Sequence, residues 1–77
     1  MMVMYMEKKI YSFEVFGLKG KKIGVCNDDF LTQDEMVLKA QGILEGAGLL
    51  RTFVTVKVRE KESTKYCYEI NHYKVYK

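Results

Sequence analysis

At 77 residues the chain has room for one domain, and a domain of this size buries only about 60% of the surface that its unfolded form exposes. Hydrophobic residues make up 48% and charged residues 30%, the balance of an ordinary globular protein and not of a disordered one. The formal charge of +3 is too small to mark a nucleic-acid binder by itself, and no stretch approaches the roughly 20 apolar residues needed to cross a bilayer.

The opening methionine-rich run, residues 1–6, is too short for a secretory core, and Glu7, Lys8 and Lys9 follow it in the wrong order for one. The expected location is therefore cytoplasmic. Residues 1–7 either extend the first strand or stay outside the fold.

Residues 8–17 alternate as a strand, with Tyr11, Phe13 and Val15 on one parity and Ile10, Ser12, Glu14 and Phe16 on the other. Gly17 and Gly20 bracket a short polar turn, and residues 22–27, with Ile23 and Val25 alternating, complete a hairpin. Asn27, Asp28 and Asp29 are expected to end it. Lys19, Lys21 and Lys22 read as a basic hairpin tip, since the spacing is not that of a phosphate-binding loop.

Thr32 and Glu35 form a capping box, and Leu31 and Met36 hold the N′ and N4 positions of a hydrophobic staple around the same cap. Asp34 and Glu35 oppose the positive end of the helix dipole. Met36, Val37, Ala40, Ile43, Leu44 and Ala47 then recur at spacings of three and four, an apolar stripe that must cover a sheet. Gly48 fits a left-handed stop, with Leu49 returning to Leu44. Gly42 and Gly46 lie one turn apart on the flank away from that stripe, where they are either tolerated or make room for a close helix contact.

Residues 50–59 form the next strand, with Val54, Val56 and Val58 turned inward and Arg51, Phe53, Thr55, Lys57 and Arg59 outward. After a charged connection, the last strand starts near Thr64. In it Tyr66, Tyr68 and Ile70 share one parity and Tyr73 and Val75 the other, so a slip of register is expected at Asn71 and His72. The first three would join the core.

These elements predict one α+β domain over residues 1–77, ordered ββαββ, with a four-stranded, mostly antiparallel sheet and one helix on one face. A single helix leaves the other face uncovered, and the candidate binding face is Arg51, Phe53, Lys57, Arg59, Lys65 and Tyr73. Residues 1–38 carry five lysines against six acids and residues 39–77 eight bases against four acids, which concentrates positive charge in the second half.

Two functions suit such a face. Aromatic side chains on both parities exceed what one helix can shield, which points to a non-enzymatic interaction domain whose partner is itself or another protein. The alternative is a nucleic-acid-binding accessory domain, in which rings stack on bases and cations hold phosphates. No cofactor, metal or small-molecule substrate is expected. Cys26 and Cys67 lack metal or redox spacing; they would bridge or, in the reduced cytosol, act as small hydrophobes. His72 is the only histidine, with no nucleophile placed beside it by motif, and Asp28, Asp29, Asp34 and Glu35 lack the ligand pattern of a calcium loop. No enzyme activity is expected.

Overall fold

The computed structural model describes residues 7–73. Strand β1 (Lys8–Phe16) turns through a short 3-10 segment (Leu18–Gly20) into β2 (Lys22–Thr32), which leads directly into helix α1 (Gln33–Gly48). Strands β3 (Phe53–Glu60) and β4 (Tyr66–Tyr73) follow. All three ladders are antiparallel, in the order β2-β1-β3-β4, and α1 lies against one face of the sheet. The ββαββ expectation is met. Among the described residues, no helix is long and apolar enough to cross a membrane.

The helix begins where the cap residues place it. The Thr32 amide donates to Glu35 Oε1 at 2.9 Å and the Glu35 amide donates to Thr32 Oγ1 at 3.2 Å, so the capping box closes in both directions. Met36, Ala40, Leu44 and Gly48 are buried, while Val37, Ile43, Ala47 and Leu31 pack at the margin. Beneath them lie Tyr11, Phe13 and Val15 of β1 and the Val54, Val56, Val58 row of β3. Alternation along two adjacent strands thus supplies one continuous apolar floor.

Gly42 and Gly46 face open space: a methyl added at either would meet nothing within 4 Å. Neither glycine answers to a packing demand. Gly42→Ala is accordingly expected to raise the unfolding free energy by about 0.5–1 kcal/mol through helix propensity alone, read as a shift of the urea midpoint at unchanged slope.

Three expectations need correction. Asn27, Asp28 and Asp29 do not end the first hairpin; β2 continues through them to Thr32. The run is absorbed by a bulge, because Tyr11 pairs with Asp29 and Phe13 with Cys26, leaving Asn27 and Asp28 opposite Ser12 alone. An edge strand has only one ladder to satisfy, and Lys39 holds the segment from the helix by donating to Asn27 O at 3.4 Å and Asp29 Oδ2 at 3.3 Å.

The register slip in β4 lies at Cys67, not at Asn71 and His72. Arg59 pairs with Tyr66 and Val58 with Tyr68, so Cys67 is the unmatched residue, and from Tyr68 to Tyr73 the alternation is unbroken. Tyr68 and Ile70 therefore face the helix, as expected, but Tyr66 is turned to the opposite face. Tyr73 lies on that opposite face through ordinary alternation with Glu69 and Asn71. Val75, and residues 1–6 of the proposed strand extension, lie outside the described residues.

Gly48 is not a left-handed stop. It is the last helical residue, Leu49 follows in right-handed conformation (φ −61°, ψ −34°), and its amide returns to Gly46 O at 3.4 Å. Gly20 at the hairpin turn is the described glycine with positive φ, 72°, next to Lys19 at 62°. What Gly48 supplies instead is closeness: a Cβ there would sit 2.6 Å from Cδ2 of His72. His72 itself is half-buried against the helix end and not part of a bulge.

As the reduced reading of the two cysteines expects, Cys26 and Cys67 stay unbridged within the chain. They belong to β2 and β4, the two edges of the sheet. Three inter-strand spacings of about 4.8 Å separate those edges, about twice the reach of a disulfide.

Candidate binding face

The face opposite α1 is built by the second parity of each strand: Ile10, Ser12, Glu14 and Phe16 on β1; Lys22, Val25 and Phe30 on β2; Phe53, Thr55, Lys57 and Arg59 on β3; Tyr66, Glu69, Asn71 and Tyr73 on β4. Among the described residues, no secondary-structure element covers it. Yet Ser12, Glu14 and Thr55 are buried there.

Glu14 is the centre of that arrangement, its side chain only 5% exposed. Lys22 Nζ lies 2.7 Å from Oε1, Arg59 Nε donates to Oε2 at 3.1 Å, and the Tyr66 hydroxyl donates to Oε1 at 3.1 Å. Residues from three other stretches of chain thus converge on one carboxylate. The Lys22 bond holds its pKa below the ordinary 4.5, against the upward push of burial, and the Arg59 and Tyr66 bonds add to the lowering. The Tyr66 phenol is pushed up, first by desolvation and then by its bond to the anion.

Arg59 is further fixed by Nη1, which donates to Lys61 O at 2.9 Å and Ser63 O at 3.1 Å. Its guanidinium therefore ties the β3–β4 turn to the middle of β1. Lys57 lies 5.0 Å from the ring centre of Phe16 and 5.3 Å from that of Tyr66, the two rings meeting edge-to-face at 6.5 Å. The same ammonium is 3.7 Å from Glu69. A shallow depression of about 400 Å³ opens beside it, bounded by Phe16, Phe53, Thr55, Lys57, Glu69 and Asn71, with the Thr55 hydroxyl bonded to the Asn71 side-chain oxygen.

Of the six residues that the sequence nominated, the structure gathers four on this face. Phe53 and Tyr73 pair at one corner, rings edge-to-face at 6.2 Å, and Lys57 and Arg59 lie toward the centre. Arg51 precedes β3 and donates from Nη1 to Ala47 O at 3.4 Å, so it closes the helix end. Lys65 falls in the turn before β4, where its amide is bound by Ser63 Oγ at 3.1 Å. Glu14, Lys22 and Tyr66 were not foreseen as a group. The one local sign was a carboxylate in a strand otherwise rich in aromatic and aliphatic residues; its partners lie elsewhere in the chain.

The β1–β2 side of the same face differs in character. There Ile10, Val25 and Phe30 are 44%, 60% and 60% exposed, and Lys8 sits 5.9 Å from the Phe30 ring centre. A groove of about 310 Å³ runs past Lys8, Ile10 and Phe30 to Glu60, Lys61 and Glu62, where β1 and β2 extend beyond the end of β3. The face is thus divided into a polar half and an apolar margin.

Among the described residues, neither a nucleophile beside a base nor a metal centre is assembled. His72 and Cys67 lie on β4 and Cys26 on the far edge strand, and among the described residues no three His, Cys, Asp or Glu side chains are grouped to hold a metal. Compared with known proteins, the chain matches no family model, no curated protein and no solved structure.

Proposed function

We propose that the chain is a small, non-enzymatic interaction domain of the cytoplasm that associates with itself through the sheet side left open by α1 or through the edge strand beside it. One observation carries this reading: Ile10, Val25 and Phe30 stand exposed on one margin of that side, next to an edge strand. Apolar side chains grouped beside an open edge are the kind of surface that proteins cover by association. In so small a domain such contact also adds burial that one core cannot supply. The free thiols of Cys26 and Cys67 suit a reducing compartment.

Binding of single-stranded nucleic acid is the second reading, favoured by Lys57 between the rings of Phe16 and Tyr66. Charge ranks it lower. Arg59 is spent on Glu14 and two carbonyls, Lys57 leans on Glu69, and a phosphate approaching the centre would meet both carboxylates.

Sedimentation at tens of micromolar tests the first reading, and a dimer that persists at high salt is the expected result. A clean monomer would overturn it. If, in addition, the protein were held on single-stranded DNA in a salt-sensitive way, and Lys57→Ala released it, the second reading would take its place.

A further inference from the structure

Strand β2 forms one edge of the sheet, so one side of its backbone has no strand beside it among the described residues. Edge strands are ordinarily blunted by bulges and charges, and β2 carries both. Their placement is symmetrical. Ile23 is the unmatched residue between Lys22 and Gly24, and the Asn27 and Asp28 pair faces the single Ser12; the irregularities fall on either side of Val25 at matching distance. The charges follow the same centre, with Lys21 and Lys22 before it and Asp28 and Asp29 after it.

Resting on the reading that the domain self-associates, we propose that two copies pair β2 against β2, antiparallel, about a two-fold axis at Val25. In that register Lys22 stands opposite Asp28 of the partner and Lys21 opposite Asp29 of the partner, at both ends of the contact. Ile23 falls opposite Asn27 of the partner, so bulge meets bulge and the ladder keeps step where a regular strand would clash. A parallel arrangement would set lysine beside lysine and aspartate beside aspartate, which is repulsive. The contact is isologous and closes on itself, as a two-fold requires.

The ion pairs already present permit it. Lys22 has three donors and keeps Glu14 while turning another proton outward. Asp28 is held by Lys61 only at 3.6 Å, with the lysine more than half exposed, so it exchanges partners at little cost. Val25, on the same outer face as Lys22, meets its own copy on the axis and loses its exposure.

The test uses the full chain. With Cys26→Ala and Cys67→Ser as background, Val25→Cys should form an interchain disulfide under mild oxidation, since residues opposite one another in an antiparallel pair lie within disulfide reach. Leu38→Cys, exposed on α1 away from the open face, should not. By sedimentation, Val25→Lys should raise the dimer dissociation constant at least ~10-fold by setting like charges on the axis, with Leu38→Lys leaving it unchanged and circular dichroism confirming both folds. A dimer that neither cross-links through Val25→Cys nor weakens with Val25→Lys would overturn the β2 pairing while self-association stood. Open-ended polymers would do the same, pointing to β2 against β4. A clean wild-type monomer at tens of micromolar would remove both.

Discussion

Replacing Arg59 by methionine is expected to lower the unfolding free energy by about 3 kcal/mol, the range found when one partner of a buried ion pair is removed. The stem of Arg59 is kept, so packing changes little, but Glu14 remains in a site where its side chain is 5% exposed with one of its cations gone. The bonds to Lys61 O and Ser63 O disappear with it, loosening the turn that brings β4 back beside β3. Against a total stability on the order of 4–11 kcal/mol for a chain of this length, the loss is severe. Urea denaturation measures it. Glu14→Gln should lose less, about 2 kcal/mol, because Lys22 and Arg59 are partly exposed and rehydrate when the anion is removed. The double variant should fall well short of the sum, since both changes break the same bond.

Acid should reproduce part of that loss. Glu14 titrates below its ordinary value in the folded protein, so the unfolded chain binds the proton first as pH falls. Its contribution is fully present above pH 4.5, the ordinary value, and is lost as pH drops through the folded-state pKa. Wild type should therefore weaken more between pH 5 and pH 3 than Glu14→Gln does. Equal slopes would mean that other carboxylates dominate acid unfolding.

Gly48→Ala is the second large effect, and its sign is the informative part. In a helix, alanine is preferred over glycine by about 1 kcal/mol, which is why Gly42→Ala stabilises. At Gly48 the new methyl would lie 2.6 Å from Cδ2 and 3.1 Å from Nε2 of His72, so the ring must rotate or β4 must draw away from the helix. Overpacking of this kind costs about 1–3 kcal/mol, which outweighs the helix-propensity gain, and a net loss of about 1 kcal/mol is expected. His72→Ala in the same chain should recover most of it. A stabilised Gly48→Ala single variant would show that the ring moves freely and that helix and β4 are loosely joined there.

The sequence disclosed what depends on neighbours along the chain. Thr32, Glu35, Leu31 and Met36 announce the helix start within one turn, and the valine row of β3 announces its own inward face by simple alternation. It did not disclose what depends on partners across the fold. Cys67 is unmatched only because Arg59 pairs with Tyr66, so the position of the slip is a property of two strands and not of one. Asp28 and Asp29 read as strand breakers, yet an edge position and Lys39 from the helix accommodate them. Gly48 looked like a cap because glycine often is one; the ring that explains it lies on the last strand. Glu14 joins Arg59 and Tyr66 across separations of 45 and 52 residues, beyond any local pattern. The candidate face was legible as a face. Its central anion was not.

The strand order also bears on how the chain assembles. Each hairpin can form from adjacent segments, but β1 and β3, neighbours at the middle of the sheet, are separated in sequence by the whole of β2 and α1. Their ladder, from Phe16 with Thr55 to Tyr11 with Glu60, is the non-local step. Such closure is slow relative to hairpin or helix formation, because chain entropy is lost before the contacts reward it. Phe13 and Val15 on one side of this seam and Val56 and Val58 on the other are buried only when it closes. The two halves consequently have little reason to persist apart, and unfolding should be a single cooperative transition with β1 leaving β3 as its defining event.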